Sequence, residues 1–140
     1  MNGGIATEDT SNFYVRSHQA FKRYEKGADL ILCAIWSTKI DSILSVGFSA
    51  NHLGIKNWVL DREKAARAIT QLENLKIAVL GGDVFEIEGG KIYQTYDSWC
   101  CDQKDDENEQ NFTKRSILEA KEYILNYPKG KVGFAIVPKT

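Results

Sequence analysis

The chain has 140 residues, 43% of them apolar and 26% charged, the balance of a folded globular protein rather than a disordered one. That length suffices for one domain with a sizeable core. No apolar run approaches the roughly 20 residues a membrane span needs, and the N-terminus MNGGIATEDTSN lacks the basic start and apolar stretch of a secretion signal, so a cytoplasmic site of action is expected. The net charge of −1 conceals an uneven distribution: residues 83–110 hold nine Asp or Glu and two Lys, so this segment carries −7 and the rest of the chain +6. An acidic surface repels nucleic acid and attracts basic proteins, which disfavours direct nucleic-acid binding and favours a basic protein partner. The three cysteines, Cys33, Cys100 and Cys101, are an odd count, and sequence neighbours rarely form an unstrained disulfide; reduced thiols are expected.

Residues 1–11 are small and polar and read as a flexible leader before a single domain over 12–140. From 12 to 26, Phe13, Val15, Phe21 and Tyr24 fit an amphipathic helix stopped by Gly27. The run ADLILCAIW at 28–36 suits a buried strand or a buried helix equally well. Thr38 is placed to cap a short helix through Ile40, Ile43 and Leu44, and Ser49 to cap a second one ending at Gly54. Asp61 sits at an N-cap position, with Ala65, Ala66, Ile69, Leu72 and Leu75 following at helical spacing, which predicts a helix over 61–75. Lys76–Leu80 reads as a short strand, Gly81-Gly82 as a turn or bulge, and Val84, Phe85 and Ile87 as a second strand. Gly89-Gly90 accepts the positive φ of a tight hairpin turn into a strand over Lys91–Tyr96. The polar stretch DQKDDENEQN predicts an exposed loop and helix start. Phe112, Ile117, Ala120, Ile124 and Tyr127 then lie along one face of a helix over 110–127 closed by Pro128, and a final strand covers 131–138. The pattern is α+β: a small, mostly antiparallel sheet packed against two longer helices and shorter N-terminal ones.

GGDVF at 81–85 resembles the Gly-Gly-Asp-Glu-Phe signature of cyclic dinucleotide synthases. Such enzymes hold divalent metal with carboxylates beside a triphosphate, and Val84 stands where the signature needs its acid. The structural reading of Gly81, Gly82 and Asp83 is a glycine bulge with Asp83 hydrogen-bonded locally. His18 and His52 lie at no metal-ligand spacing, so neither a metal nor a cofactor is expected. Cys100 or Cys101 could act as a nucleophile only with a base that the sequence does not reveal.

The most unusual constellation is Tyr93, Tyr96, Asp97 and Trp99 followed by Asp102, Asp105, Asp106, Glu107 and Glu109. Tyr and Trp supply rigid contact area, and carboxylates steer and pair with a partner's Arg or Lys, so Tyr96 through Glu109 form the candidate partner-binding set. The competing reading puts Tyr96 and Trp99 under the last helix and leaves the acids to solvate its start. Trp58, before the capped helix, reads as a hydrophobic staple.

GIKNWVLDREKAARAITQL (54–72), IAVLGGDVFEIEGGKI (77–92), TYDSWCCD (95–102) and RSILEAKEYILNYP (115–128) together resemble the bacterial immunity proteins of polymorphic-toxin systems, specifically the family numbered forty. The resemblance covers roughly residues 39–138 and rests on the order of Gly-Ile-x-Asn-Trp, Ile-x-x-Leu-Gly-Gly-Asp-Val and Thr-Tyr-Asp-x-Trp. It implies a non-enzymatic cytoplasmic protein that neutralises a cognate toxin domain, such as a basic nuclease, delivered by contact-dependent inhibition or secretion. The matched positions are Gly54, Asn57, Trp58, Gly81, Gly82, Asp83, Tyr96, Asp97 and Trp99. The alternatives are a small enzyme using GGDVF or Cys100 and a ligand-binding regulatory module built on the hairpin.

Overall fold

The computed structural model describes residues 34–140, so the leader, the helix expected over 12–26 and most of the run 28–36 lie outside the described residues. The described residues hold three α-helices and five strands, an α+β fold. The chain divides into two compact units at the Trp58–Val59 junction.

In the first unit, Ser37 rather than Thr38 caps helix α1 (Thr38–Leu44), its Oγ accepting from the Ile40 N–H at 3.2 Å. Thr38 is the first helical residue. The Asp41 carboxylate accepts the N–H groups of Ile35 and Trp36 at 2.8 and 3.1 Å, folding the preceding turn onto the helix. After strand β1 (Phe48–Ser49), the second expected helix is a single 3₁₀ turn, Asn51–Leu53, ended by Gly54 at φ 77°. Asn57 is buried; its side-chain oxygen accepts from Trp58 N at 2.7 Å and its backbone oxygen from Ala50 N at 3.0 Å. The Trp58 ring meets the ring of Trp36 at 6.4 Å.

Strand β2 (Trp58–Asp61) runs into helix α2 (Arg62–Asn74), and Asp61 is the N-cap its position predicts, accepting from Lys64 N at 2.8 Å. The buried stripe is Ala65, Ala68, Ile69 and Leu72; Leu75, expected on it, lies past the helix end and is exposed. The helix closes with a paired turn in which Ile77 N donates to Leu72 O and Lys76 N to Glu73 O, with Lys76 at φ 58° in the place glycine usually takes. Residues 76–78 therefore belong to this turn and not to the strand expected there.

Strand β3 (Val79–Glu88) is continuous, where two strands separated by Gly81-Gly82 were expected. It pairs antiparallel with β4 (Lys91–Cys100) and with β5 (Val132–Pro138), and β2 pairs with β5, giving the order β2–β5–β3–β4. Gly89 and Gly90, at φ 60° and 77°, make the predicted hairpin turn. The interruption is a bulge against β5: Val79 faces Pro138 and Gly81 faces Val137, leaving Leu80 extra. Ser116 accepts the Val79 N–H at 3.0 Å and donates to Thr113 O at 3.0 Å, which satisfies a hydroxyl buried in mid-helix. Asp83 makes no side-chain hydrogen bond among the described residues; burial of its carboxyl raises its pKa although the residue as a whole stays exposed.

Helix α3 (Glu109–Asn126) is capped by Asn108, whose side chain accepts from Asn111 N at 2.8 Å, and buries Phe112, Ser116, Ile117, Ala120 and Ile124. At its other end Arg62 donates to the backbone oxygens of Ile124, Tyr127 and Pro128 at 2.5, 2.8 and 2.9 Å, taking up carbonyls that a helix terminus leaves open. Helix α3 packs on β3, α2 packs on β5, and the two helices touch; Phe85, Phe134, Ile69, Leu72 and Ile124 are fully buried, while Phe112 clusters apart with Ala78 and Cys101.

Two close approaches explain the glycine pair. Gly82 faces Trp99 across the β3–β4 ladder, and a Cβ at residue 82 would lie 2.4 Å from the indole and 2.6 Å from Ala135 O; one at residue 81 would lie 2.2 Å from Trp99 O. The loop after β4 is held by Arg115, which pairs both oxygens of Glu107 (2.7 and 2.8 Å), Glu119 (3.0 Å) and the backbone oxygen of Asp102 (2.7 Å).

Gly82→Ala is therefore expected to cost about 2–3 kcal/mol of unfolding free energy, measured by urea denaturation, because neither backbone nor indole can yield cheaply. The Arg115 guanidinium lowers the Glu107 pKa from 4.5 to about 2. The Glu107 side chain is 10% exposed, so the pair is only partly screened by solvent. A carboxylate whose pKa falls on folding stabilises the native state fully above its unfolded value and loses that contribution on acidification through the folded value. Acid titration of stability should thus show a loss between about pH 4.5 and about 2 that Glu107→Gln removes.

Candidate protein-binding surface

The surface is built by the second irregularity of the sheet. Asp83 pairs with Ser98 and Phe85 with Gln94, so Thr95, Tyr96 and Asp97 stand opposite Val84 alone. A three-residue bulge thus replaces the strand end expected at Tyr96, and β4 continues to Cys100. Thr95 holds the bulge: its Oγ1 donates to Val84 O at 2.8 Å and accepts from Asp97 N at 3.1 Å. Tyr96 sits at φ 68° and is 85% exposed, the most exposed large apolar side chain among the described residues. Asp97 is turned toward α3, where its carboxylate accepts from the Tyr127 hydroxyl at 2.5 Å. That bond is the main reason the Tyr127 pKa is raised; burial, then the charge of Asp97, raises that of Tyr123.

Trp99 goes the other way. Its indole stacks on Tyr123 at 4.7 Å and 28° and meets the edge of Phe134 at 6.5 Å, which is the packing role that the competing reading of the sequence gave it. The acids divide as well. Glu107 is bound to Arg115, and Glu109 to Lys139 at 2.7 Å, whereas Asp102, Asp105 and Asp106 are exposed and make no ion pair among the described residues. Tyr93 is half exposed on β4.

Beside Asp97 opens a shallow groove that sequence reading missed, lined by Glu119, Glu122, Tyr123 and Asn126 of α3 with Tyr127 and Pro128. The signal was present: residues 119, 122, 123 and 126 follow helical spacing and share a face. Carboxylates beside aromatic rings are groups able to attract a cation.

The features that catalysis would need are weaker. The Cys101 thiol is buried, its pKa pushed up chiefly by that burial, with Arg115 Nη1 at 3.2 Å from its sulfur. A protonated thiol is a poor nucleophile. Cys100 is exposed. No group of three or more His, Cys, Asp or Glu among the described residues could hold a metal ion, and none of their helices is long and apolar enough to cross a membrane.

No curated protein and no solved structure matches the chain. The family model described as Immunity protein 40 matches residues 49–138, which include β2 to β5, both long helices, the bulge and the groove. With well over half its length matched, this chain belongs to the Immunity protein 40 family.

Proposed function

We propose that this protein is a non-enzymatic cytoplasmic antidote that binds a cognate bacterial toxin domain one to one and covers its active site or the adjoining surface. Family membership supports a toxin as partner. The observation that carries the choice of surface is Tyr96, a large ring in a strained backbone conformation, almost fully exposed and followed in sequence by Asp97 and by Asp102, Asp105 and Asp106, which are exposed and make no ion pair among the described residues. Holding a non-glycine residue in the left-handed region costs on the order of 1 kcal/mol, and such outliers concentrate at functional sites. A toxin that attacks nucleic acid presents a basic cleft, and the acids of 97–106 offer it a polyanion surface.

The first check is whether the gene immediately upstream encodes a large secreted protein with a variable C-terminal domain, which would then be the toxin to test. Tyr96→Gly relieves the strain and removes the ring, so its stability should stay within about 1 kcal/mol of the parent while its affinity for the toxin falls about tenfold or more. Parallel denaturation and calorimetric titration check both halves; unchanged affinity would sink the assignment. Reversal of Asp102, Asp105 and Asp106 to Lys should slow association and flatten its dependence on salt, measured by stopped flow at two ionic strengths. Equal rates for parent and variant at low salt would discard the polyanion role.

A further inference from the structure

The groove differs from the acidic loop in having walls. Tyr123 and Tyr127, their ring centroids 5.8 Å apart and tilted by 45°, form one side, and Asp97, Glu119 and Glu122 supply the charge. The Asp97 carboxylate already accepts from Tyr127, and Glu119 is paired with Arg115, whereas Glu122 is exposed and makes no ion pair among the described residues. Lys121, next along the helix, is engaged by Glu73 at 3.0 Å, so it does not neutralise the groove. Leu118 and Leu125, two turns apart with Glu122 between them, are 57% and 55% exposed and form an apolar ridge beside it. Acids alone would make only a charged surface. An aromatic wall, carboxylates and an adjoining apolar ridge fit a cation on an apolar stem.

We propose that this groove receives an arginine side chain of the toxin, with Leu118 and Leu125 packing against the toxin surface around it. Arginine suits it better than lysine because a planar guanidinium can lie on a tyrosine face while its N–H groups reach carboxylates in two directions; an ammonium presents a single point of charge. The exposed Asp102, Asp105 and Asp106 then attract the toxin, and the groove retains it. This assignment rests on the immunity reading for the identity of its partner but not for its chemistry, and the two can be tested apart.

The first arm uses no toxin. Isotope-labelled protein titrated with N-acetyl-arginine methylamide should show saturable amide shifts at Asp97, Glu122, Tyr123 and Tyr127, with the lysine analogue weaker and the shifts lost in Glu122→Lys. Shifts centred on residues 102–106, no shifts, or equal response to both analogues would overturn the arginine site. The second arm measures toxin dissociation. Glu122→Lys and Leu118→Ser should each raise the off-rate about tenfold while leaving the on-rate within about a factor of three. Off-rates equal to the parent's would remove the toxin from the groove even if the arginine analogue binds there. A parent protein that binds the analogue but no toxin would refute the immunity reading and leave the arginine chemistry standing.

Discussion

The seating of Trp99 over Gly82 is the contact on which the candidate surface depends. A strand residue normally projects beside its cross-strand partner, but Gly82 has no side chain, so the indole can lie across β3 and reach Tyr123 on α3. Aromatic pairs of this kind contribute about 0.5–1.5 kcal/mol beyond the area they bury. The placement has a cost: the indole Nε1 is buried with no hydrogen-bond partner among the described residues. An unsatisfied donor of this kind is worth roughly 1–3 kcal/mol against the fold, so ring burial and stacking must exceed it. What results is a fixed distance between the edge strand and the helix. Two residues before Trp99, the bulge can then set Asp97 against Tyr127, and a groove exists only because that spacing is held.

Arg62 and Arg115 hold the same assembly from its two ends. Arg62 binds the carbonyls that end α3, and with them the turn carrying Tyr127; Arg115, in mid-helix, binds the loop that follows β4. Each arginine spans elements far apart in sequence, and each satisfies groups that would otherwise compete for water. These are partly buried, charge-assisted contacts with several acceptors, the kind that contributes more than an isolated surface pair.

Much of this architecture was legible in the sequence, and the parts that were not share a cause. Asp61, Gly89-Gly90 and Pro128 each announce an element boundary through a fixed backbone or hydrogen-bonding preference, and each stands at that boundary. The left-handed residues that shape the rest are Lys76 and Tyr96, whose side chains give no sign of positive φ. Gly81-Gly82 misled in the opposite direction, because glycine also appears where another chain element must come close, and here it serves contact with Trp99 rather than a turn. At the surface, linear charge density pointed to residues 97–109. It could not separate Glu107 and Glu109, whose partners Arg115 and Lys139 arrive from other elements, from Asp102, Asp105 and Asp106, which have none among the described residues. The groove acids Glu119 and Glu122 were obscured for the same reason: they become neighbours of Asp97 only after the sheet and α3 pack together.

This arrangement separates residues that must stay from residues that can change. Gly82, Trp99 and Tyr123 pack on one another, Arg62 binds the carbonyls at the end of α3 and Arg115 the loop after β4, so replacing any one of them disturbs elements it does not belong to. Tyr96, Asp102, Asp105, Leu118 and Glu122 project outward and can be exchanged with little effect on stability. An antidote must recognise one toxin and ignore related ones, and discrimination is achieved by altering exposed side chains on a fixed frame, including changes that repel the wrong partner. On the proposed reading, a preformed groove also lowers the entropy lost on binding, since neither strand nor helix would have to order when the partner arrives. Strain at Tyr96 and the buried indole nitrogen are the local costs of holding that frame, and both are small against a core that joins two helices to four strands.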